Sequence, residues 1–212
     1  PYLERANEYW WDNGRNNWTG VCAGAVGQTF LLLEPDAARQ AEAVSLVLGQ
    51  MDRFLARAFE EDGACLEGIG YWCYGLLHFV TFGEMLHVKT GGAVDVLAHP
   101  KLVAIAQYPA TVAIDTHVFA AFADSHEHQS VTPFLAARLA ERTGIKSLLP
   151  QAGGMTDWRL TTVLRNLVWW NGPVTEEPVI DDAFLSTAGI VKFVGQSKGK
   201  RLVLAAKAGH NA

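Results

Sequence analysis

The sequence predicts a mainly helical fold in stacked layers, followed by a short β-rich segment. Three observations carry this. Apolar residues recur at three- and four-residue steps from about residue 20 to 170. Most of these stretches are apolar on more than one face, as in "VCAGAVGQTFLLL", so each helix is expected to be covered from two sides. After "NGPVTEEPVIDD" the pattern changes to short, β-branched, alternating runs. Two-sided burial favours a double ring of helical hairpins over a four-helix bundle.

The elements follow in order. "GRNNWTGVCAGAVG", residues 14–27, sets Asn16 and Asn17 at a helix start and then Gly20, Ala23, Gly24 and Gly27. Residues that small let neighbouring chain approach closely. "DAARQAEAVSLVLGQMDRFLARAFEE" opens on Asp36, a good N-cap after Pro35. Its Val44, Leu48, Met51, Leu55 and Ala58 form one stripe. In "YWCYGLLHFVTFGEMLHVKTG", Leu76, Val80 and Gly83 share a side, Leu77 and Phe82 broaden it, and Gly91 supplies a C-terminal stop. Further helices are expected over 94–107, 131–143 and 157–170, then a linker over 171–183. "AGIVKFVGQ" and "KRLVLAAKA", separated by "SKGK", read as a hairpin. The division expected is a helical domain over 1–172 and the start of a β domain over 184–212.

Composition narrows the function. Half of the 212 residues are hydrophobic and under a fifth are charged, enough for a sizeable core. A net charge of −5 gives no basic footprint for nucleic acid, so none is expected as partner. No apolar run reaches the roughly 20 residues that span a bilayer, and no membrane association is expected. Cys22, Cys65 and Cys73 form no CxxC pair and read as small buried residues rather than a disulfide framework. The chain opens at Pro1 inside helix-like sequence and stops just after a strand; both ends read as cut, which implies a fragment of a longer protein.

Four stretches carry candidate chemistry. In the first, an asparagine amide of Asn16 or Asn17 is suited to an acidic sugar's carboxylate, and equally to capping the helix; Trp10, Trp11 and Trp18 offer stacking faces or ordinary packing. The second is "DGACLEGIGYWCYGL", residues 62–76, where Glu67, Tyr71, Trp72 and Tyr74 crowd together and Gly68 and Gly70 free the backbone. Tyr71 falls in the first turn of the following helix, a position suited to a general acid or base. In the third, "FADSHEHQSVTP", His126 and His128 are two residues apart and share no helical face, so a solvated loop is preferred to a metal site. The scattered His78, His87 and His99 read as packing or surface. The fourth is "AAKAGHNA", a polar strand exit holding Lys207, His210 and Asn211.

Taken together, "NNWTGVCAGAVG", the EGxxYWxYG core of "DGACLEGIGYWCYGL", "FAAFADS" and "AGIVKF…LVLAAKAGHNA" resemble, in order and over nearly the whole chain, the heparinase II/III-like polysaccharide lyases and related alginate and oligoalginate lyases. The resemblance implies an incomplete (α/α) toroid followed by the first strands of an antiparallel β-sandwich, with a cleft between them. It implies β-elimination on a uronic-acid-containing glycan. Asn17 would neutralise the carboxylate, Tyr71 would serve as base, acid or both, and Glu67 would support it. Asn16, Trp18, Trp72, Tyr74 and His210 would contact substrate. Trp18 stands where several members carry a histidine. The family's further catalytic histidine, and in some members a structural zinc, belong to a His-rich segment beyond Ala212. This fragment alone is therefore expected to be inactive and without metal or other cofactor. The partner implied is an acidic polysaccharide or oligosaccharide; the location implied is periplasmic or secreted. Two other readings remain open: a glycoside hydrolase on a helical toroid, with Asp62 and Glu67 as the acid pair, and a non-catalytic glycan-binding protein.

Overall fold

The computed structural model describes residues 2–5, 8–154 and 159–208. Its described part is mainly helical, with a small three-stranded antiparallel sheet. Six α-helices run in chain order: α1 Asn17–Leu33, α2 Ala37–Arg57, α3 Ile69–Lys89, α4 Lys101–Val112, α5 Pro133–Thr143 and α6 Leu160–Trp169.

Local chemistry sets most of the helix starts. The Asn16 side chain accepts from the Trp18 amide at 3.2 Å, and Asp36 accepts from the Arg39 amide at 2.8 Å, each taking up an N–H with no partner inside its helix. The helix expected over 94–107 begins late. Residues Val96–Ala98 form only a 3-10 turn, because Pro100 disfavours a helical conformation at His99 and α4 starts after it. α4 then continues past Pro109, whose missing N–H leaves the Ile105 carbonyl open. The Trp72 indole donates to that carbonyl at 3.0 Å.

α1 packs against both α2 and α3, and the small residues singled out above are the reason. A Cβ on Gly24 would come within 2.9 Å of the His78 backbone, and one on Gly20 within 2.8 Å of the Phe54 ring. Around this contact Val47, Met51, Phe54, Trp72, Leu76, Phe79, Phe82 and Phe134 form the buried core. Deeper along α3, buried Glu84 is held by Arg138 and Arg142, each at 2.8 Å.

Two short strands, β1 Ala113–Asp115 and β2 Val118–Phe119, pair after α4. The expected hairpin is β4 Ile190–Ser197 with β5 Lys200–Lys207, closed by Lys198 and Gly199, both at positive φ (51° and 73°), as a two-residue hairpin turn requires. A third strand, β3 Ala183–Leu185, pairs with β4 across the expected boundary between linker and β domain. The sheet is tied to the helices at two points. Lys192 on β4 donates to the Ala110 and Ala113 carbonyls at 3.2 and 2.9 Å. Asp62 accepts from the Thr187 and Ala188 amides at 2.8 and 3.2 Å. No helix among the described residues is long and apolar enough to cross a membrane.

Candidate functional site

The start of α1 meets the start of α3, and there the predicted residues gather. Asn17 and Glu67, fifty positions apart in the chain, are joined twice: the Asn17 backbone N–H donates to Glu67 Oε2 at 2.6 Å, and its Nδ2 to Oε1 at 2.9 Å. Asn17 is only 3 % exposed, and its Oδ1 is buried with no partner among the described residues. Its amide is thus directed at Glu67 rather than presented to solvent. In this arrangement Asn17 orients the carboxylate of Glu67, which is half-buried. Burial pushes the Glu67 carboxyl above its ordinary value; the two Asn17 donors pull it back and the nearby Asp124 pushes it up again.

Tyr71 is the third residue of α3 and 37 % exposed, and its hydroxyl has no hydrogen-bond partner among the described residues. Gly68, the residue before the helix, sits at φ 89°, open to glycine at little cost. A Cβ there would strike the Ser125 side chain, and one on Gly70 would lie 3.2 Å from Gln129. The segment holding Asp124, Ser125 and Gln129 is thereby laid across the start of α3. Ser125 Oγ is buried there without a partner, and Ala123 adopts a left-handed backbone (φ 54°), a conformation costly for a residue with a Cβ.

An aromatic series leads away from this corner. Trp10 (63 % exposed) meets Trp18 (43 % exposed) edge-on at 5.9 Å. Trp18 meets Tyr74 edge-on at 6.4 Å, and Tyr74 meets His78 at 6.1 Å. Trp10 and Trp18 are exposed in this series, while three other residues expected to contact substrate or offer a stacking face are placed otherwise. Trp72 is fully buried, with its indole spent on the Ile105 carbonyl, so it belongs to the core and not to the wall. Asn16 uses its side-chain oxygen as the helix cap. Trp11 is also buried, stacked on Tyr9 at 5.2 Å. His210 lies outside the described residues.

Residue-by-residue reading missed His78 and Arg165. Tyr71, Tyr74 and His78 stand at steps of three and four on α3 and so share one face; that spacing was the available signal for His78. Burial, with Arg165 and Arg159 adding to it, holds the His78 imidazole down at about 4. Its Nδ1 is buried and unpartnered. Arg165 comes from α6, far along the chain, and no local pattern marks it.

The remaining candidates fall elsewhere. Asp62 is engaged on backbone amides at the sheet, as described above. His126 and His128 are exposed, and His128 lies 3.4 Å from Glu127 on the surface. No group of three His, Cys, Asp or Glu among the described residues is arranged to hold a metal ion. The three cysteines are unpaired, with Cys65 and Cys73 buried.

No model of a known protein family matches this chain, and no curated protein matches it at a significant level. Function is therefore argued from the residues themselves. The corner holds a carboxyl of raised pKa fixed by an amide, a phenol open to solvent, and a wall of exposed aromatic rings. Such a set can stack against sugar rings and move a proton.

Proposed function

We propose that the chain belongs to a polysaccharide lyase of the heparinase II/III-like kind, acting on a uronic-acid-containing glycan by β-elimination. The helices would then be part of an (α/α) toroid and the three strands the opening of a β-sandwich. The observation that carries the reading is the juxtaposition of Tyr71, with its free hydroxyl, and the Asn17–Glu67 pair at the foot of the Trp10–Trp18–Tyr74 wall.

In this reaction a base takes the C5 proton of the uronate and the electron pair left behind forms the C4–C5 double bond. The C4–oxygen bond breaks, and the departing glycosidic oxygen takes a proton from an acid. Tyr71 is the exposed proton-transfer group of the corner and fills one or both roles. Glu67 orients the sugar or the phenol, and Asn17 holds Glu67 in place. Trp18 and Tyr74 receive sugar faces, with Asn16 behind them as the cap that keeps the α1 start open toward the cleft. The glycan is the sole partner proposed, and the setting is periplasmic or extracellular.

A second reading draws on Glu67 and the neighbouring Asp124, since a carboxyl of raised pKa beside another acid is also what a glycoside hydrolase uses. The full-length gene product, incubated with a panel of uronate polysaccharides, separates the two. A lyase produces an ultraviolet-absorbing unsaturated end, and Tyr71→Phe is expected to reduce its rate by about 10²–10⁴-fold. Release of saturated sugars that survives Tyr71→Phe overturns the lyase in favour of the hydrolase. Binding without any product leaves a glycan-binding protein.

A further inference from the structure

The inner end of the aromatic wall contains a cation with no counter-ion among the described residues. Arg165 is half-buried on α6, its guanidinium 5.8 Å over the Phe134 ring, and its Nη2 donates to Gln28 Oε1 at 2.9 Å. Gln28 in turn donates to the His78 carbonyl at 3.4 Å. Arg165 thus bridges α6 to α1 and α3 beside the last ring of the series. Other half-buried arginines here are neutralised: Arg138 and Arg142 by Glu84, with Asp95 also reaching Arg142 at 3.3 Å. Arg165 has no carboxylate partner among the described residues.

Desolvation depresses the proton affinity of Arg165 and of His78 alike, so burial disfavours the charged form of each. A half-buried guanidinium is costly unless an anion meets it. One Nη2 bond is used, and the rest of the planar fork, which has no hydrogen-bond partner among the described residues, can take an oxyanion in bidentate fashion. The orphaned Nδ1 of His78 adds a further polar group lacking a partner at the same place.

We propose that Arg165, with His78 and Tyr74, forms an oxyanion subsite at the inner end of the Trp10–Trp18–Tyr74 wall, taking a carboxylate or sulfate group carried by a sugar one or more residues from the cleavage point. The subsite rests on the reading of the cleft as one for acidic glycans, and it specifies where the charge of that glycan is recognised. A bound anion neutralises the field of Arg165 at His78 and so raises the imidazole's proton affinity. His78 therefore reports occupancy without any turnover.

The test is a pH titration of His78 by nuclear magnetic resonance, with sodium glucuronate, sodium sulfate or glucose added at matched ionic strength. Glucuronate or sulfate is expected to raise the proton affinity of His78 by about tenfold, and glucose to leave it unchanged; the stronger of the two anions names the charged group. The response is expected to vanish in Arg165→Gln and to persist in Arg201→Gln, which alters a surface arginine paired with Asp115. Arg165→Lys, which keeps the charge and loses the fork, is expected to show a weakened response, and it serves if the glutamine variant fails to fold. An equal effect of glucose and both anions overturns the subsite, as does a response that survives Arg165→Gln. Elimination products without a His78 response sink the subsite and leave the lyase standing; a response without products does the reverse.

Discussion

Glu84 and His78 lie less than two turns apart on α3, and the molecule treats them in opposite ways. Glu84 is buried and accepts four hydrogen bonds from Arg138 and Arg142. Burial acting alone would lift its carboxyl pKa, but the two guanidinium groups overturn that and hold it below the ordinary value. His78 is half-buried beside Arg165, and among the described residues its buried Nδ1 has no partner and no acid balances the guanidinium. The C-terminal half of α3 is a closed electrostatic site, its charges matched within the protein. The stretch from Glu67 through His78, with Asn17 facing it, is an open one: Asn17 Oδ1, His78 Nδ1 and the Tyr71 hydroxyl have no partner among the described residues, whereas the unbonded His87 Nδ1 of the other half lies 3.5 Å from Asp95. Since native proteins satisfy nearly all buried polar groups, the orphans along the open stretch point to something that arrives from outside.

The comparison can be broken most forcefully at the closed site. Glu84→Ala removes the buried carboxylate shared by Arg138 and Arg142, leaving them only the more exposed Glu141 and Asp95, and is expected to cost about 3 kcal/mol of stability, read by urea unfolding. Tyr71→Phe, at the open site, is expected to leave the urea midpoint almost unchanged. A closed site that tolerates Glu84→Ala as well as the open one tolerates Tyr71→Phe would remove the distinction.

The two glutamates sharpen the contrast through pH. The Glu84 pKa is lowered in the fold, so its contribution to stability is full above the ordinary carboxylate value of 4.5 and is lost as pH falls through the lower folded value. The Glu67 pKa is raised, so stability declines as pH rises from 4.5 through the higher folded value. The stability gap between wild type and Glu84→Gln is expected to widen between about pH 3 and 6. Relative to it, the gap to Glu67→Gln is expected to narrow or reverse over the same range. Parallel slopes would show that Glu67 is as well compensated as Glu84.

The smallest effect is expected at the rim. Trp18→Ala removes a half-exposed ring whose aromatic contacts are with Trp10 and Tyr74, so stability should change by no more than about 0.5 kcal/mol. Affinity for an acidic oligosaccharide should fall about threefold to tenfold by calorimetric titration, the loss of one stacking face. An unchanged affinity would reduce the wall to surface packing.

Much of this fold was legible because its cues are local. Asp36 after Pro35 marks the start of α2, the small residues of α1 mark a close crossing, and "SKGK" closes the hairpin, each through backbone geometry that neighbouring residues impose. The apolar pattern alone misplaced two elements: His99–Pro100 delayed α4, and β3 formed in a stretch without strand patterning because β4 offered it an edge. The candidate site divides in the same way. Asn17, Glu67, Tyr71, Trp18 and Tyr74 were marked by their chemistry and by the family resemblance, and they stand at or near the starts of α1 and α3. The sequence by itself determined that an amide and aromatic cluster and an acidic and aromatic cluster would stand at helix starts. Only the tertiary structure decided that Asn17 turns its amide onto Glu67, that Trp72 goes inward to the carbonyl opened by Pro109, and that Arg165 arrives beside His78. Those outcomes depend on which donors and acceptors meet across helices, and on which are left without partners, and neither is a property of any one segment.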